Sequence, residues 1–537
     1  MKIHGGQLVA RALKAEGVDT IFTLSGGHIV AVLDGCLQEG IRIVDVRHEQ
    51  AAAHAAEAYT RLTGRLGVAV VTAGPGVTDT ITAVANAWFS STPMLVIGGR
   101  HLLRQELKGG LQEMNHPQLF AGITAWAATA WQTERLPDYI ATASRFAFRG
   151  RGAPVFLDIP MDVQFDLVDE ENVVWPRGYR SERIAGTDSQ TLAAIETALA
   201  RASRPVIFAS AGASPNQLLE LAERMNAPTF VNGRARGSLP FGHPLLGNHA
   251  RGQALATADL VLALGVDWDF RTNYGERVNP SATVIHVDAE PTKIGWNRPV
   301  ELGVVADPMQ VVAQMLALSL PTADGGWVAE IVEAEKARQE QLESEAADPA
   351  SGLVPPQRFG KEVAEFFGRD SIVALDGGDI ISTTARWLQI STPGHVLDPG
   401  PFGTLGTGAP FALAAQVVHP EKLVGLVLGD GAFGFNGFEF DTLVRLRLPV
   451  VAVMGNDGVW GNIKTFHTMM YPDRVVAADL GRRPYHAVVA ALGGHGELVT
   501  DPHDLAPALK RARASGLPAL VNVHIAETMR MSSNYSQ

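Results

Sequence analysis

Along nearly the whole chain, short apolar and β-branched runs alternate with stretches patterned for helix, and this alternation restricts the fold more than any other feature. Strands separated by helix-length connections run parallel, because only a crossover brings the chain back to the same end of a sheet. Three blocks of alternation are separable. Residues 1–166 carry strand-like runs at 20–24, 41–46, 68–72, 94–97 and 155–159. A polar, proline-bearing linker at 167–188 leads to residues 189–322, with runs at 206–209, 229–232, 260–264 and 284–287. A charged helix and a Pro/Gly-bearing connection at 324–356 lead to residues 357–537, with runs at 372–375, 423–428, 450–454 and 519–523. The expected fold class is α/β, three doubly wound parallel-sheet domains, in line with roughly 150 residues per domain.

Composition sets outer limits. Apolar residues make up 46% of the chain, too many for a disordered one. A formal net charge of −12 and a pI near 5.7 argue against nucleic acid, whose phosphates are met by clustered Lys and Arg. The lone cysteine, Cys36, allows no internal disulfide and suits a reducing cytoplasm; within the helical stretch 29–37 it reads as a small core residue. The opening MKIHGGQLVARALKAEG reads as an amphipathic helix without a signal-peptide apolar centre. No uninterrupted apolar run of about 20 residues marks a membrane span. A cytoplasmic, soluble enzyme with no nucleic-acid or membrane partner is expected.

Chemistry enters at Gly429-Asp430-Gly431. Its glycines let the backbone close on a bulky anion. After a charge-poor stretch the chain reaches Asn456-Asp457, and Asp457 stands twenty-seven positions beyond Asp430. The stretch 443–455 reads as a helix end followed by a buried parallel strand, which puts both acids at the carboxyl edge of one sheet, where open α/β folds bind ligands. With the carbonyl of Val459 they make an oxygen set suited to Mg²⁺ on a diphosphate. Farther upstream, Arg47-His48-Glu49-Gln50 stands between the strand-like run 41–46 and an alanine-rich helix from Ala51. Taken alone, a Glu there reads as a residue that stabilises a helix N-terminus, and a carboxyl desolvated in an apolar cleft has its pKa raised.

Together these motifs resemble the signature of thiamine diphosphate enzymes, in which Gly-Asp-Gly is followed some two dozen residues later by Asn-Asn. Here Asp457 replaces the second Asn, which keeps an oxygen ligand and adds a negative charge. The resemblance runs along the whole chain. Val71-Thr72-Ala73-Gly74-Pro75-Gly76 matches the Gly-rich turn of the family's first domain, and Gly400-Pro401-Phe402-Gly403-Thr404-Leu405-Gly406 matches the loop that bends the cofactor. It implies that Glu49 bonds N1′ of the aminopyrimidine, that Leu405 wedges under the thiazolium and that the Gly403 carbonyl accepts from the 4′-amino group. It also implies cofactor contacts from Gly429, Gly431, Ala432 and Trp460, with Gly378 and Asp379 of Asp376-Gly377-Gly378-Asp379 beside the diphosphate. Asp430, Asp457 and Val459 are implied as the Mg²⁺ ligands. The units become a pyrimidine-binding domain (1–166), a central nucleotide-binding-like domain (189–322) and a diphosphate- and Mg-binding domain (357–537), the first and third sharing a strand order. Glu49 and Asp430 lie in different units yet serve one cofactor. In the family they come from different subunits, which implies a homodimer or homotetramer with active sites at the subunit interface.

The resemblance extends to 2-hydroxyacyl-CoA lyases, benzaldehyde lyase and acetolactate-synthase-like proteins. His28, in Ser25-Gly26-Gly27-His28, and Gln112, in Leu111-Gln112-Glu113, are similar in setting to the histidine and glutamine that contact substrate oxygen in benzaldehyde lyase. His28 is expected to shuttle the hydroxyl proton and Gln112 to hold the substrate oxygen; His54 and His116 are weaker candidates. The central stretches 232–237, 243–245 and 265–271 resemble the domain that holds FAD in acetolactate synthases and an ADP or CoA moiety in acyl-CoA lyases. Arg236, Arg251 and Arg271 are candidate phosphate contacts there and equally candidate interdomain ion pairs. The polar tail 529–537 is shorter than the C-terminal lid common in acyl-CoA lyases. The expected activity is thiamine diphosphate-dependent carbon–carbon cleavage or condensation on a carbonyl or acyl-CoA substrate. The alternatives are an acetolactate synthase acting on pyruvate, a non-catalytic homologue and a nucleotide-dependent oxidoreductase. Glu49 and Asp430 disfavour the non-catalytic homologue; the lack of a Gly-x-Gly-x-x-Gly turn at the first strand disfavours the oxidoreductase.

Overall fold

The computed structural model describes residues 2–181, 185–210, 215–347 and 352–527. Strands are numbered along the chain. The first unit holds β1 (Lys2–His4), β2 (Thr20–Leu24), β3 (Arg42–Asp45), β4 (Gly67–Val71), β5 (Met94–Arg100), β6 (Ala127–Thr129), β7 (Pro154–Pro160) and β8 (Leu167–Asp169). Six of them form a parallel sheet in the order β3-β2-β4-β5-β7-β6, and β1 pairs antiparallel with β8. The central unit holds β9 (Pro205–Ala209), β10 (Thr229–Val231), β11 (Leu246–Gly247), β12 (Leu260–Leu264), β13 (Thr283–Asp288) and β14 (Leu302–Val305), all parallel, in the order β11-β10-β9-β12-β13-β14. The third unit holds β15 (Ile372–Asp376), β16 (Val396–Leu397), β17 (Val424–Gly429), β18 (Val451–Asn456), β19 (His495–Val499) and β20 (Ala519–His524), ordered β16-β15-β17-β18-β20-β19. Counted from β2 and from β15, the first and third sheets have the same order, as the family resemblance implied.

Strands β4 and β18 are buried at every position because helices cover both faces of their sheets. The first and third units meet through helices Glu49–Thr63 and Gly408–Val418, which share one core in which alanines 51–53 and 55–56 lie with Phe411 and Leu413. Alanine keeps both helices slim where they cross. Closer still is the crossing of helices Gly5–Ala15 and Val30–Gln38, where a methyl on Gly35 would fall 2.4 Å from the carbonyl oxygen of Gly6. Helix Gly325–Ala346 spans the other gap: Trp327, Val328 and Ile331 pack in the central core, and Leu342 and Ala346 pack with Trp387 of the third unit.

The structure departs from the sequence reading in places. The opening residues form a strand before the helix begins at Gly5, and the presumed linker 167–188 contains β8. The alanine-rich helix starts at Glu49 itself. Strands β6, β11, β14, β16 and β19 lie at sheet edges, are short or partly exposed, and lack the apolar run that buried strands show. The tail 529–537 lies outside the described residues.

Candidate active site

The carboxyl tips of β15, β17 and β18 open onto a cleft of about 260 Å³. All eleven residues of the third unit singled out from the sequence line it: Gly378, Asp379, Gly403, Leu405, Gly429, Asp430, Gly431, Ala432, Asp457, Val459 and Trp460. Asp430 opens helix Asp430–Asn436 directly after β17, and its Oδ2 accepts from Gly458 N at 3.1 Å, which ties the two acidic tips together. Asp457 Oδ1 accepts from Val459 N at 3.2 Å. Bonds on either side of Val459, Trp460 N to Ala478 O at 2.8 Å and Leu480 N to Gly458 O at 2.7 Å, fix that residue's backbone. The Trp460 indole lies on the backbone of Gly431, where a methyl would meet the ring at 2.3 Å. Gly403 takes the left-handed conformation, φ 66°, at the end of its short helical turn.

Electrostatics in the cleft favour a cation. Burial, and then the neighbouring charge of Asp457, raise the Asp430 carboxyl to about 7, and burial raises that of Asp457. Two desolvated carboxylates at adjacent strand tips are an arrangement a divalent ion relieves. Asn456, fully buried, points away from the cleft: its amide donates to Asn522 Oδ1 at 3.0 Å, and Asn522 donates to the Arg483 carbonyl at 2.9 Å. That buried pair leaves Asp457 to face the ligand side. Asp376 is likewise internal, accepting from Gly406 N and Gly408 N, so it anchors the loop that carries Gly403 and Leu405.

The first unit gathers a second set of groups around the turn after β4. His28 Nδ1 lies 3.1 Å from Thr72 Oγ1. Gln112 packs on Gly74, where a methyl would come within 2.7 Å of its Cβ, and Glu49 Oε1 lies 3.2 Å from the corresponding position on Gly76. One turn thus collects His28, Gln112 and Glu49. Burial raises the Glu49 carboxyl, with the charge of Asp79 adding to the effect; burial lowers the His28 imidazole, with His101 and His116 adding. None of the three lines the third-unit cleft of the same chain. Of the weaker candidates, His54 is fully buried edge-on to Phe411, and His116 is buried with its Nε2 accepting from Gly74 N at 3.0 Å. Neither opens onto a cleft.

Comparison with known proteins bears on both sets. Residues 3–119 match the family model "Thiamine pyrophosphate enzyme, N-terminal TPP binding domain", residues 192–315 the central-domain model and residues 376–523 the C-terminal TPP binding domain. A "Probable acetolactate synthase" of Mycobacterium bovis is 41% identical over 97% of this chain and 95% of its own length. The chain belongs to the thiamine pyrophosphate enzyme family. Two other members, both named "2-hydroxyacyl-CoA lyase 2", are similar as well: the Homo sapiens protein at 33% identity over 98% of this chain and 90% of its own length, and the Mus musculus protein at 34% over 93% and 85%.

For a thiamine pyrophosphate enzyme the third-unit cleft fits its cofactor. Its lining is rich in glycine, with Gly377, Gly378, Gly403, Gly429 and Gly431 in one cleft, and the paired carboxylates suit a metal-bound diphosphate. The central unit fits less well. Its topological switch point, between β9 and β12, opens on a crevice of about 80 Å³ lined by Ser210, Gly233 and Gly265, smaller than the third-unit cleft of about 260 Å³. Arg151 of the first unit lines it, bonding Asp288 and reaching Asp267 at 3.1 Å. Of the three candidate phosphate contacts, Arg271 pairs with Asp269 at 2.7 Å and Arg251 lies over the Phe208 ring at 5.2 Å, while Arg236 lines a crevice between the central and third units with Leu375 and Asp398. Sequence reasoning passed over Thr72, Asp158 and Asn522 as individual residues, because each acts through a partner distant in the chain.

Proposed function

We propose that this chain is a thiamine diphosphate- and Mg²⁺-dependent carbon–carbon lyase that cleaves a 2-hydroxyacyl-CoA or 2-hydroxyketone and runs the reverse condensation with aldehydes. The observation that carries the reading is the convergence of His28, Gln112 and Glu49 on the turn Thr72–Gly76. Bound thiamine diphosphate supplies the electron sink for the bond being broken. Asp430, Asp457 and the Val459 carbonyl hold Mg²⁺ on the diphosphate, with Gly378, Asp379, Gly429, Gly431 and Ala432 lining its seat. The Gly403 carbonyl orients the aminopyrimidine, and Leu405 and Trp460 pack against the cofactor. Glu49, its carboxyl raised by burial, exchanges a proton with the pyrimidine nitrogen. His28, held neutral by burial, takes the substrate hydroxyl proton, and Gln112 donates to the substrate oxygen.

The first-unit set and the third-unit cleft belong to opposite protomers of a homodimer, itself free to pair into a tetramer. Their separation within one chain supports this. A cytoplasmic setting is supported by the single, buried Cys36. Among the described residues no helix is long and apolar enough to cross a membrane. FAD, ADP or CoA in the central crevice would lie beside Arg151, which bonds Asp267 and Asp288.

A second reading, acetolactate synthase, is favoured by the name of the relative at 41% identity. Purified enzyme with thiamine diphosphate and Mg²⁺ separates the two. Release of aldehyde from a 2-hydroxyacyl-CoA or an aromatic 2-hydroxyketone supports the lyase. Rapid decarboxylation of pyruvate to acetolactate, with no turnover of those substrates, overturns it.

A further inference from the structure

We propose that Asp158 and His116 are positioning residues that pinch the loop carrying Gln112 at its base and lock the Gly74 turn against it; this rests on the reading of Gln112 as a substrate contact. Strand β5 ends at Arg100, and the chain then loops out and returns at His116, the first residue of helix His116–Phe120. Both ends of the loop are bound to one atom. Asp158 Oδ2, on the neighbouring strand β7, accepts from Arg100 at 3.0 Å and lies 3.1 Å from His116 Nδ1. All three side chains are buried, Asp158 and His116 completely.

The second imidazole nitrogen carries the constraint onward. His116 Nε2 accepts from Gly74 N at 3.0 Å, so the proton of the neutral ring sits on Nδ1 and is donated to Asp158. Gly74 holds φ 59°, and Gln112 holds φ 59° as a non-glycine residue. The two interlock so closely that a methyl on Gly74 would meet Gln112 Cβ at 2.7 Å. A single run of contacts therefore leads from Asp158 through His116 and Gly74 to Gln112.

The outer part of the loop is closed on itself. Arg100 bonds both oxygens of Glu106, at 2.7 and 2.9 Å, and Glu113 Oε2 accepts from Gly110 N at 2.7 Å. Leu107 and Leu111, 90% and 75% exposed, give the loop little apolar packing of its own, so its geometry depends on these polar ties. Glutamine in the left-handed region is held there only where the surroundings impose it. The His116 bond to Gly74 is the imposing contact, and a hydrogen-bond donor displaced by an ångström loses much of its effect on the reacting oxygen.

The test uses holoenzyme loaded with thiamine diphosphate and Mg²⁺, a 2-hydroxyketone or 2-hydroxyacyl-CoA substrate, four single variants and one double variant. His116→Leu is expected to lower kcat/KM by about 10-fold or more and to speed hydrogen exchange at the Gly74 amide, with cofactor affinity unchanged. His116→Gln, whose carbonyl oxygen reaches toward Gly74 N, is expected to keep most activity. His116→Asn, too short to reach it, is expected to behave as His116→Leu, and it carries the test if the leucine variant does not fold. Combining His116→Leu with Gln112→Ala is expected to cost no more than Gln112→Ala alone. Multiplicative losses in that double variant, or an unchanged kcat/KM in His116→Leu and His116→Asn while Gln112→Ala is impaired, overturn the positioning role. A silent Gln112→Ala overturns the substrate-contact reading itself, and the positioning role with it.

Discussion

At the scale of single residues, Glu49 and Asp457 are the groups proposed to carry the proton and the metal, and each admits a sharp substitution. Glu49→Gln is expected to fold and to bind thiamine diphosphate, yet to lose at least about 10²-fold in turnover, because a neutral amide cannot exchange the proton. Wild-type hydrogen–deuterium exchange at C2 of the bound cofactor would remove Glu49 from that role. Asp457→Asn restores an uncharged oxygen ligand and is expected to keep Mg²⁺ and cofactor; Asp457→Ala is expected to release both. Calorimetry showing cofactor bound as tightly by the alanine variant would place Asp457 outside the metal shell. For His28 the sign of the pH effect follows from burial, which holds the ring below its usual 6.5 and is opposed by the Leu111 backbone. The neutral base persists as pH falls through 6.5, so the acid limb of kcat/KM is expected below that value. His28→Ala is expected to slow turnover about 10-fold and to flatten that limb; an unaltered profile assigns the limb to another group. These residues were legible because each sits in a short local motif. Asp158 was not, since its partners Arg100 and His116 meet it only after a sheet has formed between them.

At the scale of elements, buried strands announced themselves and edge strands did not. A strand covered by helices on both faces must be apolar throughout, as in β4 and β18, whereas β16 and β19 carry one neighbour each and are free of that requirement. Helix crossings are the other elements that sequence pattern conceals. Gly6 and Gly35 look like helix-weakening residues until their helices are seen in contact, with backbone on backbone. Gly35→Ala is expected to force apart helices Gly5–Ala15 and Val30–Gln38, at a cost of about 1–3 kcal/mol as in other overpacked cores. Because Val30–Gln38 follows His28 directly, turnover is expected to fall along with stability. Urea unfolding checks it, and a midpoint equal to the parent's would show that the crossing tolerates a methyl.

At the scale of the whole molecule, the proposed homodimer makes a prediction that a single chain does not. Glu49→Gln and Asp457→Ala are each expected to be inactive alone. If a site draws Glu49 from one protomer and Asp457 from the other, unfolding and refolding the two variants together yields hybrid dimers with one intact site, recovering up to about a quarter of parental activity. No recovery would mean that both residues serve the same chain. The three-unit division was readable from strand alternation, while the packing of the units was not, because helices Glu49–Thr63 and Gly408–Val418 meet through alanines that carry no pattern of their own.

The matching strand order of the first and third sheets extends to their tips. His28 follows β2 as Asp379 follows β15, the turn at Gly74 follows β4 as Asp430 follows β17, and the loop to Gln112 follows β5 as Asp457 follows β18. Equivalent strand tips thus carry the residues proposed for proton chemistry in one unit and those proposed for phosphate and metal in the other. One strand order presents two different sets of side chains at matching tips, because the loops that follow the strands, and not the sheet, carry the chemistry.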